Sequence, residues 1–474
     1  MLIRAGITDF TIYERASDIG GTWYHNDYPG AEVDIPSHLY SFPWKTSLWT
    51  RTHAQQPELK RYIDEMMDEF GLRSHLRLNC TVKEAAWNAA EQRYDLVLED
   101  GSTTWANVVI CAIGLFNNPR VPDWPGLGKF RGPAFHTTEW DHDTDITGKT
   151  VAVVGTGSTS TQVVATIAPK VKQLYVYQRE PGWILPKPDR DFTPEELAKF
   201  ERQGRWRYRL TRWRQFYNMQ SHMFVGRGHK NSSKRKQRME QIARNYINTV
   251  FADRPDLRAM VTPGYPMGGK RLVLNQFFYP ALLRENVQLI PYAVTSVTET
   301  GVVSADNVER DVDVLVLATG FQPANFVSTL RVTGRTGRTI QEVWQDEPHA
   351  FVGVQTHEFP NFYMLYGPNT NGGEIFLNFK SQAGIAIKTM KVMMRRNMGS
   401  SEVKRSWEDG YNRWLQRHFR DSVWTEANNY YKAPSGKVVT QLPFDAVTYS
   451  LLTRILWRPA QHMEPRIAAR RGDH

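Results

Sequence analysis

Residues 149–179 constrain the fold more tightly than any other stretch. The run KTVAVVG, Lys149 to Gly155, is short, apolar and closed by glycine, so it reads as a buried strand. The dozen residues after it are helical in character, and QLYVYQ, Gln173 to Gln178, is a second strand. Strand, helix and strand in this order form a βαβ unit, which requires a parallel sheet and a right-handed crossover. The class is therefore α/β.

The turn inside this unit is Gly155-Thr156-Gly157-Ser158-Thr159-Ser160, continuing into Thr161. Its glycines permit a tight turn and let backbone N–H groups approach a pyrophosphate at the helix N-terminus. Ser160 stands where a third glycine is usual, and a small residue still allows close helix–strand packing. The alternative is an ordinary βα turn, but strand–turn–helix–strand is the context a dinucleotide loop needs. The second strand runs out at Gln178-Arg179. An acid there would bond the ribose 2′-hydroxyl of NADH, whereas an arginine forks onto a 2′-phosphate. Arg179 favours NADPH, against the plainer reading of a surface arginine.

A second nucleotide unit is present in part. The strand-like DFTIYE ends at Glu14, placed as a ribose-binding acid would be, and Gly21 and its neighbours follow. Such an acid needs a strand, a glycine loop and a helix before it, with the loop about 20 residues upstream. Only 13 residues precede Glu14. Met1–Gly6 reads as the end of that helix, with Gly6 as its C-cap. The first strand and its loop are absent from this sequence, which suits an N-terminally truncated chain.

The stretch GGTWYHNDYPGAEVDIPSHLYSF is a long irregular loop of the functional kind. A helix is expected over Gln56–Phe70, then a hairpin and a buried strand in RYDLVLEDG and TTWANVVICAIG. Residues 194–250 are mainly helical, with Trp206, Leu210, Trp213, Tyr217, Gln220 and Phe224 on one face. Strands resume at VQLIPYAVTSVTET, VDVLVLATG and NFYMLYG, the last leading to PNTNGG. Ser381–Met398 is helical in period, and the tail from Arg458 is expected to be loose.

Among 474 residues, no apolar run reaches about 18, so no membrane span is expected. The N-terminus lacks a signal peptide's apolar core. Cys80 and Cys111 read as reduced thiols of a cytoplasmic protein, and no metal site is expected. Residues 201–240 hold twelve Lys or Arg against two Glu, which accounts for the whole net charge of +10. Around Trp206–Phe224, Arg205, Arg209 and Arg212 flank the aromatic face on one side, and Arg207 and Arg214 on the other. Three readings are open: an insertion packed on the nucleotide domain, a helix on an anionic membrane surface, or nucleic-acid binding. The first is preferred, peripheral membrane contact is second, and nucleic acid is not expected as a partner.

Phe130-x-Gly132-x-x-x-His136-x-x-x-Trp140-Asp141 lies just before the Gly155 loop. It matches the fingerprint of Baeyer–Villiger monooxygenases, and the chain resembles that family elsewhere. The loop from Glu14 to Phe42, the YPxxxKR element from Tyr265 to Arg271, DVLVLATGF at Asp313–Phe321 and FPNFYMLYGPNT at Phe359–Thr370 all fit. The resemblance implies two Rossmann-like domains, for FAD and NADPH, with a helical insertion near 190–262. The FAD domain would comprise residues 1–143, lacking its first βα unit, and 321–474; the NADPH domain would be 144–320.

By the same resemblance, Glu14 would contact the FAD ribose. Gly21, Thr22, Trp23, Asp34 and Tyr40 would line the flavin, with Val82 near the adenine. Gly155–Thr161, Arg179 and Lys270 would hold NADPH. Asp34 and Arg271 would be the catalytic pair beside the reacting flavin carbon, and His136 would link the domains. The family uses NADPH and O2 to form a C4a-peroxyflavin that inserts oxygen next to a ketone carbonyl. A fixed guanidinium suits that reaction, because it stabilises both the anionic peroxide and the oxyanion of the adduct. The alternatives are oxygenation of nitrogen or sulfur, or a flavin-deficient chain that still binds NADPH. Where many members carry Trp-Pro near the C-terminus, this chain has Leu442-Pro443, so substrate preference does not carry over.

Overall fold

The architecture is that of a computed structural model, which describes residues 1–202, 204–222 and 229–467. Phe224 of the expected aromatic face and residues 468–474 of the tail lie outside the described residues.

The βαβ unit forms as strand Thr150–Val154, helix Ser158–Ile167 and strand Gln173–Tyr177. It is the centre of a five-stranded, all-parallel sheet. The strand order is Val287–Ile290, Gln173–Tyr177, Thr150–Val154, Val314–Leu317, Ala134–His136. The central strands of this sheet are mostly apolar because both of its faces are covered. Val151, Val153, Leu174, Val176, Val314 and Val316 enter one core with the helix Ser158–Ile167. Ala152, Val154, Tyr177, Leu315 and Leu317 alternate onto the other face. There they meet an antiparallel meander of Val294–Val297, Gly301–Ser304 and Glu309–Asp311. Each fully buried valine contributes roughly 1.5–3 kcal/mol, so the Gly155 turn stands on a rigid platform.

The other α/β unit comes from both ends of the chain. Ile12–Tyr13 pairs in parallel with Leu76–Arg77, and Val109–Cys111 pairs in parallel with Phe362–Met364. They form two separate two-stranded parallel sheets. Gly6 caps a short turn, Ile3–Ala5, in the left-handed conformation, as its expected C-cap role requires. A mixed sheet of Arg331–Thr333, Val82–Asn88, Arg93–Leu98 and Thr103–Ala106 packs alongside.

Two local expectations need correction. The helix expected over Ser381–Met398 runs over Ile375–Arg396. Its N-cap is the buried Glu374, whose carboxylate accepts from the amides of Phe376 and Leu377, and Asn397 ends it in the left-handed conformation. Met398 instead opens a strand. The tail is also ordered further than its composition implied. Arg458 and Pro459 close the helix Ala446–Ala460, and Gln461–Pro465 pairs antiparallel with Met398–Val403. Glu464 is held there by Arg335 at 3.0 Å and by the Ser400 hydroxyl at 2.7 Å. Cys80 and Cys111 are both free thiols. Among the described residues no helix is long and apolar enough to cross a membrane.

Candidate active site

A cavity of about 3330 Å³ runs between the two α/β units. Ordinary small-molecule pockets hold roughly 300–1,000 Å³, so this one has room for more than one ligand. Its wall collects residues from distant parts of the chain: Glu14, Gly21, Thr22, Trp23, Asp34, Tyr40, Val82, the Gly155–Thr159 turn, Arg179, Lys270 and Arg271.

The Gly155 turn has a steric reason to begin with glycine. Its φ of +119° is one that side-chain-bearing residues rarely adopt, and a Cβ would overlap the Ala318 carbonyl oxygen. Gly157 is the N-cap of the helix Ser158–Ile167, and no side chain caps that end. The free amides face the cavity, an arrangement that favours an anion. Ser160 and Thr161 turn away from it. The Ser160 hydroxyl donates to the Gly155 carbonyl at 2.5 Å and that of Thr161 to Ser158 at 2.8 Å, so both shape the turn from beneath. Arg179 lies exposed on the cavity wall and makes no hydrogen bond or ion pair among the described residues. Lys270 is occupied: it pairs with Glu180 and lies 4.9 Å over the Tyr265 ring.

Across the cavity, Glu14 follows its strand, and one carboxylate oxygen accepts from the Ala16 amide at 2.9 Å. The Trp23 indole donates to the Tyr40 hydroxyl at 3.1 Å. Asp34 and Arg271, 237 residues apart in sequence, meet at 3.2 Å. The Arg271 side chain is 46% exposed to the open cavity, and the Asp34 carboxylate, together with the nearby Tyr430, Tyr366 and Tyr431, holds the guanidinium above its usual range. It is a permanent cation. The Asp34 segment is clamped in turn by the buried ammonium of Lys187, which donates to Glu32 at 2.6 Å and to the Val33 carbonyl at 3.1 Å.

The fingerprint residues hold the frame. Phe130, Gly132, His136, Trp140 and Asp141 are not part of the cavity wall. Phe130 packs into the core on the meander side, and Trp140 stands edge-on to Phe135. Asp141 accepts from the Thr144 hydroxyl and the Asp143 amide. His136 ends an edge strand and is buried, which lowers its pKa. Its Nδ1 meets the Thr138 hydroxyl at 2.8 Å, and its ring stands 6.0 Å from Phe321.

The sequence left several wall residues unassigned. Tyr366, Tyr430 and Tyr431 lie near enough to Arg271 to feel its charge, and Phe116 sits 5.6 Å beneath it. Phe376 and Phe379 extend this aromatic wall, and Leu442 lines it opposite Gly372. Tyr366 lies inside FPNFYMLYGPNT and had a signal to follow. Tyr430 and Tyr431 belong to no motif and are brought in by the fold alone.

A model of flavin-binding monooxygenase-like proteins matches residues 6–328. A Baeyer–Villiger monooxygenase of Pseudomonas aeruginosa is 35% identical over 472 residues, spanning 98% of this chain and 88% of its own. One from Streptomyces coelicolor is 35% identical over 471 residues, spanning 96% and 87%. The solved structure of cyclohexanone monooxygenase from Rhodococcus sp. Phi1 bound to NADP+ superposes with a TM-score of 0.86 at 25% identity, covering 98% of this chain and 96% of that one.

Proposed function

The chain belongs to the flavin-binding monooxygenase-like family, in its Baeyer–Villiger branch, and from that premise we propose that it uses FAD, NADPH and O2 to insert one oxygen atom beside a ketone carbonyl. The observation that carries the ketone reading is the Asp34–Arg271 pair on the wall of the shared cavity.

Bound reduced flavin would supply the activated oxygen. The chain's own residues supply position and charge. The free helix N-terminus at Gly157 suits a pyrophosphate, and Arg179, which has no partner among the described residues, suits the 2′-phosphate of NADPH. Glu14 has one carboxylate oxygen left over for a ribose hydroxyl. Trp23, Asp34 and Tyr40 would line the flavin, and Val82 would lie near its adenine.

Arg271 cannot lose its proton under any working condition, so it offers fixed N–H donors to charge that develops on a carbonyl oxygen. Asp34 aims it, and Lys187 holds the Asp34 segment in place. The wall of Tyr366, Phe376, Phe379 and Tyr430 suits the hydrocarbon part of a ketone. A nitrogen or sulfur centre develops no oxyanion and has less need of the guanidinium, which is why a carbonyl substrate is preferred.

The test is a purified chain supplied with NADPH, cyclohexanone and isotopically labelled O2. Flavin bands near about 370 and 450 nm and a single labelled oxygen in a lactone product are expected. A colourless protein, or a product without label, would overturn the reading.

A further inference from the structure

We infer that the helix Arg205–His222 is a docking surface for an anionic lipid bilayer. The periodicity of Trp206, Leu210, Trp213 and Tyr217 puts them on one helix face without saying what that face meets, and the fold turns it outward. Trp206 is 72% exposed, Trp213 66%, Tyr217 63% and Leu210 43%. The steps of four, three and four residues keep them on one face over about 16 Å of helix. Trp213 and Tyr217 lie nearly parallel, their rings 6.5 Å apart.

The opposite face is the one that is anchored. Tyr208 is buried, and its hydroxyl meets the Trp49 indole at 3.2 Å and the Ser41 hydroxyl at 3.1 Å. Arg212, expected to flank the stripe, is turned inward. It donates to the Ser41 carbonyl at 3.1 Å and pairs with Glu374 at 3.4 Å. Met219 is buried and belongs to the cavity wall. The helix is thus fixed with its aromatic side to solvent, and its inner side reaches the cavity.

Charge decides the partner. The eighteen residues contain five arginines and no acid. Arg207, Arg209 and Arg214 are exposed and border the stripe. A rigid helix lying flat, with aromatic and aliphatic side chains between arginines, matches the boundary between acidic headgroups and acyl chains. Tryptophan and tyrosine are favoured at that depth. Nucleic acid fits less well, because Leu210 interrupts the aromatic stripe with a side chain that neither stacks on a base nor bonds to one.

The experiment pellets the purified chain with phosphatidylcholine vesicles, with and without about 30% phosphatidylserine, at about 0.05 M and 0.5 M salt. Binding only to the serine-containing vesicles, several-fold weaker at high salt, is expected. The W213S/Y217S and R207E/R209E/R214E variants should each lose at least about tenfold in partitioning, with melting temperature and NADPH oxidation unchanged. The charge-reversed variant leaves the aromatic stripe intact, so the two arms fail for different reasons. No binding, equal binding to neutral vesicles, or variants that bind like the wild type would overturn the proposal. So would retention of a single-stranded oligonucleotide, or concentration-dependent self-association lost in the same variants, if either occurs without vesicle binding.

Discussion

The fingerprint glycine offers a quantitative test of how the frame is built. Gly132 lies just before the strand Ala134–His136 and has no unusual backbone angle, so Gly132→Ala probes space alone. The added Cβ would overlap the Asp313 carbonyl oxygen, well inside the 3.0 Å that such atoms keep. It would also stand 2.9 Å and 3.1 Å from two ring atoms of Phe130. Neither neighbour is free to yield. Asp313 is tied to Thr150 by two hydrogen bonds, one through its amide at 2.8 Å and one through its carboxylate at 2.7 Å. Phe130 packs against the core on the meander side. Overpacking of this kind costs about 1–3 kcal/mol, and pressure on backbone places it at the upper end. At about 2–4 °C per kcal/mol, the shift for a domain of about 150–250 residues, that lowers Tm by about 6–12 °C. The assay is thermal unfolding by circular dichroism, with Gly128→Ala as control, since a Cβ there meets nothing within 4 Å. If the two variants melt within a degree of each other, the glycine is not there for the packing reason given.

Arg179→Ala should weaken NADPH binding by at least about tenfold and NADH binding little, since loss of a charge-assisted bidentate contact removes roughly 1.5–3 kcal/mol; titrations with both cofactors check this, and equal losses would refute it. Glu408 is buried, and burial raises its pKa to about 8 from the ordinary 4.5. The folded state therefore holds this proton more tightly than the unfolded chain does. Its contribution to stability is full below about pH 4.5 and fades as pH rises through about 8. Glu408→Gln should remove this slope and be more stable than the wild type at pH 8 by up to roughly 3 kcal/mol; parallel melting curves at pH 5 and 8 would contradict it.

The nucleotide platform was legible because its signals are local. A buried strand, a glycine turn and a helix follow one another in Thr150–Ile167, and sheet physics leaves one way to continue. Asp34 and Arg271 were legible only through family motifs. Nothing local in an acidic loop residue or an arginine after Lys270 says that they meet at 3.2 Å. Tyr430 and Tyr431 carry no local signal, because their proximity to Arg271 is a product of tertiary packing. The stripe on Arg205–His222 shows the opposite failure. The period was read correctly, but periodicity gives a face and not its direction. The direction was set by Tyr208 and Arg212, which bind the loop around Ser41. The tail from Arg458 has a loose composition, and it is ordered by pairing with a strand about 60 residues earlier.

In the function proposed above, Arg271 acts on the oxygen-transfer step and not on the delivery of electrons. The direct measurement compares wild type with Arg271→Ala, following anaerobic bleaching of the flavin by NADPH and, separately, ester or lactone formation in air. Loss of a preorganised oxyanion donor costs about 10²–10³ in rate. Bleaching within a few-fold of the wild type, with product formation reduced by at least about a hundredfold, is the predicted result. Product formation retained within tenfold would contradict the account.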